Sequence, residues 1–319
     1  MEFDGRSLFF IGDSITANGS FLSILRSHFK MTGRRIYVHN KGIAGANTDI
    51  TIEALGETML NFKPSYAVIS LGVNDVGYWE YNSSEETSEE EEQSKQKRRT
   101  NYIDGIRRLT ETVQEYGVCP ILCSPFCVNR FLPQAKSIET VIDSKEKNAI
   151  DNSFYTSKAF EKINNSLGIF GNLVREYAEE KKLEFWDLFV GTFCAASAEC
   201  FKSDGIHYSD VGDRLIADLI LGNMLGERIS EYAIDTDIEK IARLEDSERA
   251  YYFVKYNIMR YRNEGLSNDE LLQSVTDWLG KNGNINGLTK ARERGFFEFV
   301  TDNKEKQNKL IELIRKPAL

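Results

Sequence analysis

Short apolar segments alternate with amphipathic segments through the first 225 residues, and this alternation limits the fold more than any other feature of the chain. Apolar runs of this length are typical of buried strands, and the amphipathic runs between them are typical of crossover helices. The pattern predicts an α/β fold with a parallel sheet and helices on both faces. The predicted strands lie at about 7–12, 35–39, 66–71, 118–123 and 184–188, and the predicted helices at about 17–31, 49–61, 100–116, 159–182 and 210–225.

Polar and glycine-containing motifs stand where the first three predicted strands end. Gly12-Asp13-Ser14 follows the first apolar run, Gly45 lies in a glycine-containing loop after the second, and Asn74 follows the third. A fourth motif, Asp204-Gly205-Ile206-His207, comes late in the chain, just before the predicted helix at 210–225. Because ligands of open parallel sheets bind outside the carboxyl ends of the strands, these motifs are candidates for one functional site.

The four segments, in this order, resemble the four signature blocks of the SGNH (GDSL-type) hydrolase superfamily over residues 7–225. The resemblance implies a flavodoxin-like three-layer α/β/α fold, with a five-stranded parallel sheet of order 2-1-3-4-5. It implies Ser14 as the nucleophile, His207 as the general base and Asp204 as the residue that orients His207. It also implies an oxyanion hole formed by the backbone N–H groups of Ser14 and Gly45 and by the side-chain amide of Asn74.

Each of these residues also has an ordinary structural interpretation. Ser14 would serve as a helix N-cap, Asp204 as the cap of a turn, Gly45 as a turn glycine and Asn74 as the first residue of an Asx-turn. The spacing of three residues between Asp204 and His207 favours the catalytic interpretation, because side chains at i and i+3 share a face of a turn.

Two further histidines compete with His207. His28 falls inside a predicted amphipathic helix, where we expect it on the surface or half-buried. His39 ends the second apolar run and stays a weaker candidate for the site. We expect Asp13 and Asp75 to brace the loops that carry the motifs rather than to transfer protons.

The composition is that of an ordinary globular protein, with 41% hydrophobic and 28% charged residues and a net charge of −9. Nothing in the charge distribution favours nucleic-acid binding, and no apolar run is long enough to predict a membrane span. The motifs contain no metal-ligand pattern, and the mechanism that the resemblance implies needs neither a metal nor an organic cofactor.

The five cysteines and the N-terminus indicate the cellular location. We expect the cluster Cys119, Cys123 and Cys127 to be small buried apolar residues. Cys194 and Cys200 would form a disulfide only in an oxidising compartment, and we expect reduced thiols and a cytoplasmic protein. The first residues show no pattern of a secretory signal.

Two segments interrupt the α/β pattern. Residues 82–100 are strongly charged and predict either a solvated helix or a mobile loop, with Glu91 and Lys95 spaced to pair on a helix. Residues 128–156 follow the fourth predicted strand and carry Arg130 and Phe131. Such residues would either line an acyl or sugar pocket or pack on each other as a lid, and both segments are candidate flaps over the site.

The last part of the chain, residues 235–319, reads as three or four amphipathic helices. We therefore predict a catalytic domain at 1–234 and a helical module at 235–319, through which the protein could form a homo-oligomer. For the catalytic domain we expect a serine esterase that acts on a short-chain acyl ester of a small molecule or carbohydrate, with an O-acetylated carbohydrate as the preferred substrate. The alternatives are an acyltransferase that uses the same triad with a sugar hydroxyl as acceptor, and a non-catalytic binding or scaffold protein with a vestigial site.

Overall fold

The computed structural model describes residues 1–59, 63–81, 88–131, 157–242 and 244–245. Five parallel strands form one sheet of order β2-β1-β3-β4-β5, which confirms the predicted sheet. The strands are β1 Ser7–Gly12, β2 Tyr37–Asn40, β3 Tyr66–Ser70, β4 Cys119–Cys123 and β5 Glu184–Trp186. The crossover helices pack in two groups that cover the sheet, as a three-layer α/β/α fold requires.

The helices that flank the sheet are α1 Ser14–Asn18, α2 Phe21–Met31, α3 Thr48–Met59, α4 Glu89–Glu115, α5 Ser157–Lys181, α6 Leu188–Ala195 and α7 Asp210–Leu225. Short 3₁₀ turns lie at Tyr78–Glu80 and Ala198–Cys200. Helix α3 packs against α4 and α4 against α5, whereas α2 packs against α7. The residues of β1 from Leu8 to Ile11 are at most 3% exposed, so the centre of the sheet is also the centre of the core.

Three predicted boundaries are wrong. The predicted helix at 17–31 is two helices, because Gly19 takes an extended conformation and ends α1. Helix α4 begins at Glu89 rather than near residue 100, since Ser88 accepts a hydrogen bond from the Glu91 N–H and four glutamates occupy the first turn. The predicted strand at 184–188 ends at Trp186, where Asp187 caps the unpredicted helix α6.

The charged segment at 82–100 is helical from Glu89 onward, which matches its interpretation as a solvated helix. Glu91 and Lys95 form the expected pair, with 2.6 Å between Oε1 and Nζ. Arg130 packs on the rings of Phe131 and Phe193, with its Cζ 4.8 and 4.5 Å from the two centroids. Residues 82–87 and 132–156 lie outside the described part of the chain, and with them the start of the first predicted flap and most of the second.

All five cysteines are free thiols. Cys123 and Cys127 are buried as expected, and burial raises the pKa of Cys123 above its ordinary range. Cys119 is exposed, against the prediction, because it is the first residue of β4, where the chain enters the sheet from the surface.

The chain divides into two compact units, Met1–Ile238 and Glu239–Leu319. Within the first unit, Ser27 Oγ donates to the Ala233 carbonyl and accepts from the Ala233 N–H, each at 2.8 Å. The predicted boundary between residues 234 and 235 stays a prediction. The predicted helical module and its role in oligomerisation fall on residues that are almost all outside the described ranges. Among the described residues, no helix is both long and apolar enough to cross a membrane.

Candidate active site

Ser14 is the first residue of α1 and lies directly beyond the carboxyl end of β1. The turn between them is tight, since a Cβ on Gly12 would overlap the Thr16 side chain and lie 2.8 Å from the Ser70 carbonyl oxygen. Asp13 is the N-cap of α1, and its Oδ1 accepts from the Ile15 N–H at 2.9 Å. The Ser14 hydroxyl is therefore not used for capping, which was its ordinary structural alternative.

His207 joins Ser14 to Asp204. Its Nε2 lies 2.8 Å from Ser14 Oγ, and its Nδ1 lies 2.7 Å from Asp204 Oδ2. The other carboxylate oxygen, Oδ1, accepts from the backbone N–H groups of Ile206 and His207, each at 2.9 Å. Asp204 thus caps the turn and contacts the imidazole at once, so the capping contact does not exclude a contact with His207.

The turn that carries Asp204 and His207 is held on several sides. Phe201 and Tyr208 form an antiparallel bridge at its base, and the Lys202 N–H donates to the His207 carbonyl at 2.8 Å. The Asn129 N–H, from the segment after β4, donates to the Gly205 carbonyl at 2.8 Å. These contacts fix the imidazole relative to the end of β1.

Burial and hydrogen bonding set the charge of the two nearby carboxyl groups. Partial loss of solvation acts to raise the pKa of Asp204, but hydrogen bonds from the side chain and backbone of His207 outweigh it, and the pKa lies below its ordinary value. Asp204 is therefore ionised at neutral pH, as an acceptor for the imidazole must be. Asp13 is buried, and the loss of solvation raises the pKa of its carboxyl to about 7, although the bond from Ile15 opposes the shift.

Gly45 and Asn74 lie on two adjacent loops beyond the ends of β2 and β3. Gly45 has φ +75°, a conformation that favours glycine, and a Cβ added there would meet no atom within 4 Å. The Asn74 Nδ2 donates to the Ala46 carbonyl at 2.9 Å. Because a side-chain amide has two N–H bonds, a second donor remains beyond the one directed to Ala46.

The other two histidines lie elsewhere. His28 is buried at 4% exposure, against the prediction of a surface or half-buried residue, because the face of α2 that carries it is covered; its Nε2 is 3.8 Å from Glu227. His39 is half-buried on β2 and packs edge-on against the Phe9 ring, and burial lowers its pKa to about 4. Asp13 and Asp75 brace loops, as predicted. Asp13 accepts a hydrogen bond from the Ile15 N–H, and Asp75 accepts one from the Thr48 N–H.

An aromatic turn beside the site was missed by sequence reasoning. The 3₁₀ turn Tyr78–Glu80 follows the Asn74 loop, and Trp79 on it is 42% exposed. Arg98 of α4 supports this turn, with its Cζ 5.6 Å from the Trp79 ring and its Nε 3.0 Å from Glu80 Oε2. Burial raises the pKa of Tyr78, and the charges of Asp204 and Asp13 add to the shift, so Tyr78 lies within electrostatic range of both carboxyl groups. The adjacency of Tyr78 and Trp79 to the Asn74 motif was the available signal.

Fold and site together define a flavodoxin-like α/β protein with a serine–histidine–aspartate cluster beyond the carboxyl ends of its strands. The chain belongs to the GDSL-like lipase/acylhydrolase family, whose model matches residues 8–220. It is therefore an enzyme of the ester hydrolase class. In the described part of the chain, no three His, Cys, Asp or Glu residues come together in a way that would hold a metal ion.

Solved structures show the same fold at low identity. A gut microbial diltiazem-metabolizing enzyme is 13% identical, with a TM-score of 0.63 over 98% of this chain and 94% of that one. An acetylxylan esterase from Geobacillus stearothermophilus is 18% identical, with a TM-score of 0.50 over 70% of this chain and 96% of that one. No curated protein sequence matches the chain significantly.

Proposed function

We propose that the protein hydrolyses a short-chain acyl ester through Ser14 as nucleophile, His207 as general base and Asp204 as the residue that orients His207. One observation carries this proposal: a single imidazole lies 2.8 Å from a serine hydroxyl and 2.7 Å from a carboxylate. A nucleophile within hydrogen-bond reach of a base, itself oriented by a third group, is the arrangement that acyl transfer requires.

In the first half of the reaction, Ser14 Oγ attacks the ester carbonyl carbon while its proton passes to His207 Nε2. The tetrahedral intermediate collapses, His207 gives that proton to the leaving alcohol oxygen, and the acyl group remains on Ser14. In the second half, water loses a proton to His207 and attacks the acyl carbon, and the proton returns to Ser14 Oγ as the acid leaves. Asp204 stabilises the imidazolium that exists between the transfers.

The carbonyl oxygen carries a negative charge in both tetrahedral intermediates. We assign its donors to the backbone N–H groups of Ser14 and Gly45 and to the second N–H of the Asn74 amide. Gly45 supports this assignment because the space where a Cβ would stand is open, with no atom within 4 Å. Asn74 supports it because its first N–H already holds the amide against the Ala46 carbonyl. Such preorganised donors stabilise the transition state more than the uncharged ester.

For the substrate we propose an O-acetylated carbohydrate. The exposed Trp79 supports this, because an aromatic face beside a site is a suitable surface for the C–H groups of a sugar ring, and Arg98 holds the indole in place. The fold shared with an acetylxylan esterase is in keeping with it.

The five free thiols support a reducing compartment such as the cytoplasm.

The replacement Ser14→Ala tests the mechanism. Removing a triad nucleophile lowers kcat by several orders of magnitude, so we expect no measurable turnover of p-nitrophenyl acetate above the uncatalysed rate, with the unfolding temperature unchanged. Ser23→Ala, on α2, is the matched control. Retention of more than about a tenth of the wild-type kcat in a folded Ser14→Ala protein would remove the nucleophile from the mechanism.

The substrate class is tested by comparing p-nitrophenyl acetate, longer p-nitrophenyl esters and acetylated xylo-oligosaccharides. We expect the acetyl esters to be preferred, and we expect Trp79→Ala to raise KM for the oligosaccharide while leaving KM for p-nitrophenyl acetate unchanged. The control is Tyr37→Ala, which removes another exposed aromatic residue at the start of β2, the opposite end of the sheet from the site. An equal effect of Trp79→Ala on both substrates would count against a sugar surface.

A further inference from the structure

We propose that Thr48, held between Asp75 and Gly105, is a positioning residue that fixes the two side loops of the oxyanion hole relative to each other. The inference rests on the proposed function, since it concerns how Gly45 and Asn74 are held for catalysis. Thr48 itself lies three residues beyond Gly45 and touches no reacting atom in the proposed mechanism.

Two hydrogen bonds join Thr48 to the Asn74 loop. Asp75 Oδ1 accepts from the Thr48 N–H at 2.9 Å and from the Thr48 hydroxyl at 2.8 Å. Thr48 is the first residue of α3, so its N–H has no acceptor within the helix and needs one from outside. Together with the bond from Asn74 Nδ2 to the Ala46 carbonyl, three hydrogen bonds connect the two loops.

Helix α4 closes the third side of Thr48. A Cβ on Gly105 would overlap Oγ1 and Cβ of Thr48 and lie 3.0 Å from its Cγ2, so only a glycine lets the α4 backbone approach this closely. Thr48 is 3% exposed as a result. It cannot move toward α4, and its two bonds to Asp75 oppose movement away from the Asn74 loop.

Placing a carboxylate between these two loops costs solvation free energy. Asp75 is half-buried, but its Oδ2 is inaccessible to solvent and has no hydrogen-bond partner in the described part of the chain, and the loss of solvation raises the pKa of the carboxyl to about 6. A neutral group would join the loops with less loss of solvation free energy. The carboxylate contributes one oxygen, Oδ1, that accepts both hydrogen bonds from Thr48.

Few residues separate these contacts from the proposed oxyanion donors along the chain. Asn74 is the neighbour of Asp75, and Gly45 is separated from Thr48 only by Ala46 and Asn47. A displacement of one ångström at a catalytic group can cost about 100-fold in rate. Loosening Thr48 should therefore lower the rate of the chemical step without changing how the ground-state ester binds.

The test uses Thr48→Val, which keeps the shape and removes the hydroxyl donor, and Thr48→Ser, which restores it. With p-nitrophenyl acetate we expect Thr48→Val to lower kcat about 10-fold with KM within about twofold of wild type, and Thr48→Ser to recover most of the loss. Gly105→Ala should lower kcat similarly, because its new Cβ displaces Thr48. If Thr48→Val does not fold, Thr48→Ala takes its place.

The controls separate positioning from general stability. Thr110→Val removes a buried threonine hydroxyl of α4 that donates to the Ile106 carbonyl at 2.7 Å and also bonds the Tyr177 side chain, away from the oxyanion loops. Gly222→Ala adds a helix Cβ that meets the nearest atom at 3.7 Å. Both should keep the wild-type kcat. A kcat for Thr48→Val within twofold of wild type, an equal loss in Thr110→Val, or no recovery in Thr48→Ser would overturn the inference. In each of these three cases the proposed function would still stand, provided that the single replacement Ser14→Ala abolishes turnover.

Discussion

Replacing Asp204 with asparagine separates its two roles. The amide oxygen can occupy the place of Oδ1 and still accept from the backbone N–H groups of Ile206 and His207, so the turn should keep its shape. The amide nitrogen then stands where Oδ2 stood, 2.7 Å from His207 Nδ1, and can only donate. The imidazole proton is thereby driven to Nε2, which faces Ser14 and can no longer accept a proton.

The size of the effect follows from the geometry. At about 4 Å between charge centres and an effective dielectric constant of about 20, the carboxylate and the imidazolium attract by about 4 kcal/mol. The Asp204 side chain is 47% exposed. Solvent screening therefore leaves about 2–3 kcal/mol, a factor of about 30–150 in rate. The wrong tautomer adds to this, and in a buried triad the same replacement costs about 10⁴ in kcat. For this more exposed pair we expect a loss of about 10²–10³.

Steady-state hydrolysis of p-nitrophenyl acetate and thermal unfolding measure the two roles together. Asp204→Asn should lower kcat by that amount with an unfolding temperature near that of the wild type. Asp204→Ala should lower kcat similarly and also destabilise the protein, because the turn loses two hydrogen bonds to a charged acceptor, about 1–3 kcal/mol. If Asp204→Asn retained more than a tenth of the wild-type kcat, orientation of His207 by Asp204 would be refuted.

Three further results are expected. Asn74→Ala should lower kcat about 10²–10³-fold with little change in KM, as loss of one oxyanion donor does, and a change confined to KM would contradict the role. Burial raises the pKa of Asp213 from 3.8 to about 6, so the folded protein binds this proton more tightly and the group favours folding less as pH rises through that interval. In urea unfolding, wild type should therefore lose about 2 kcal/mol relative to Asp213→Asn between pH 4 and pH 7, and a pH-independent difference would contradict this. We also propose that a chain ending at residue 238 keeps its kcat on p-nitrophenyl acetate, and loss of turnover in a folded chain of that length would give residues 239–319 a part in the site.

The sheet and the meeting of the motifs could be predicted from the sequence for a physical reason. Parallel strands end at one edge of a sheet, so Ser14, the Gly45 loop and Asn74 had to lie near each other once the alternation was recognised. The spacing of Asp204 and His207 placed their side chains on one face of a turn. The order of the strands came from the family resemblance, since periodicity alone does not determine which strands are neighbours.

Contacts between distant parts of the chain could not be predicted. Nothing in the sequence around Gly105 indicates that its missing side chain makes room for Thr48, 57 residues earlier. The burial of His28 depends on which elements pack on α2, and the amphipathic pattern of α2 does not indicate which they are. The sequence predicts a late start for helix α4 because the first turns of the helix are polar on all sides. In the structure, capping by Ser88 stabilises these turns and outweighs the lack of an apolar face.

The most direct test of Ser14 as the nucleophile is to find the serine that reacts covalently. The full-length protein is treated with a fluorophosphonate, digested and analysed by mass spectrometry, in parallel with His207→Ala and with protein unfolded beforehand. We expect a single adduct on Ser14 in the wild type, its formation greatly slowed in His207→Ala and absent from the unfolded protein. An adduct on a different serine, or an enzyme that hydrolyses esters while Ser14 stays unmodified and activity survives the reagent, would contradict Ser14 as the nucleophile.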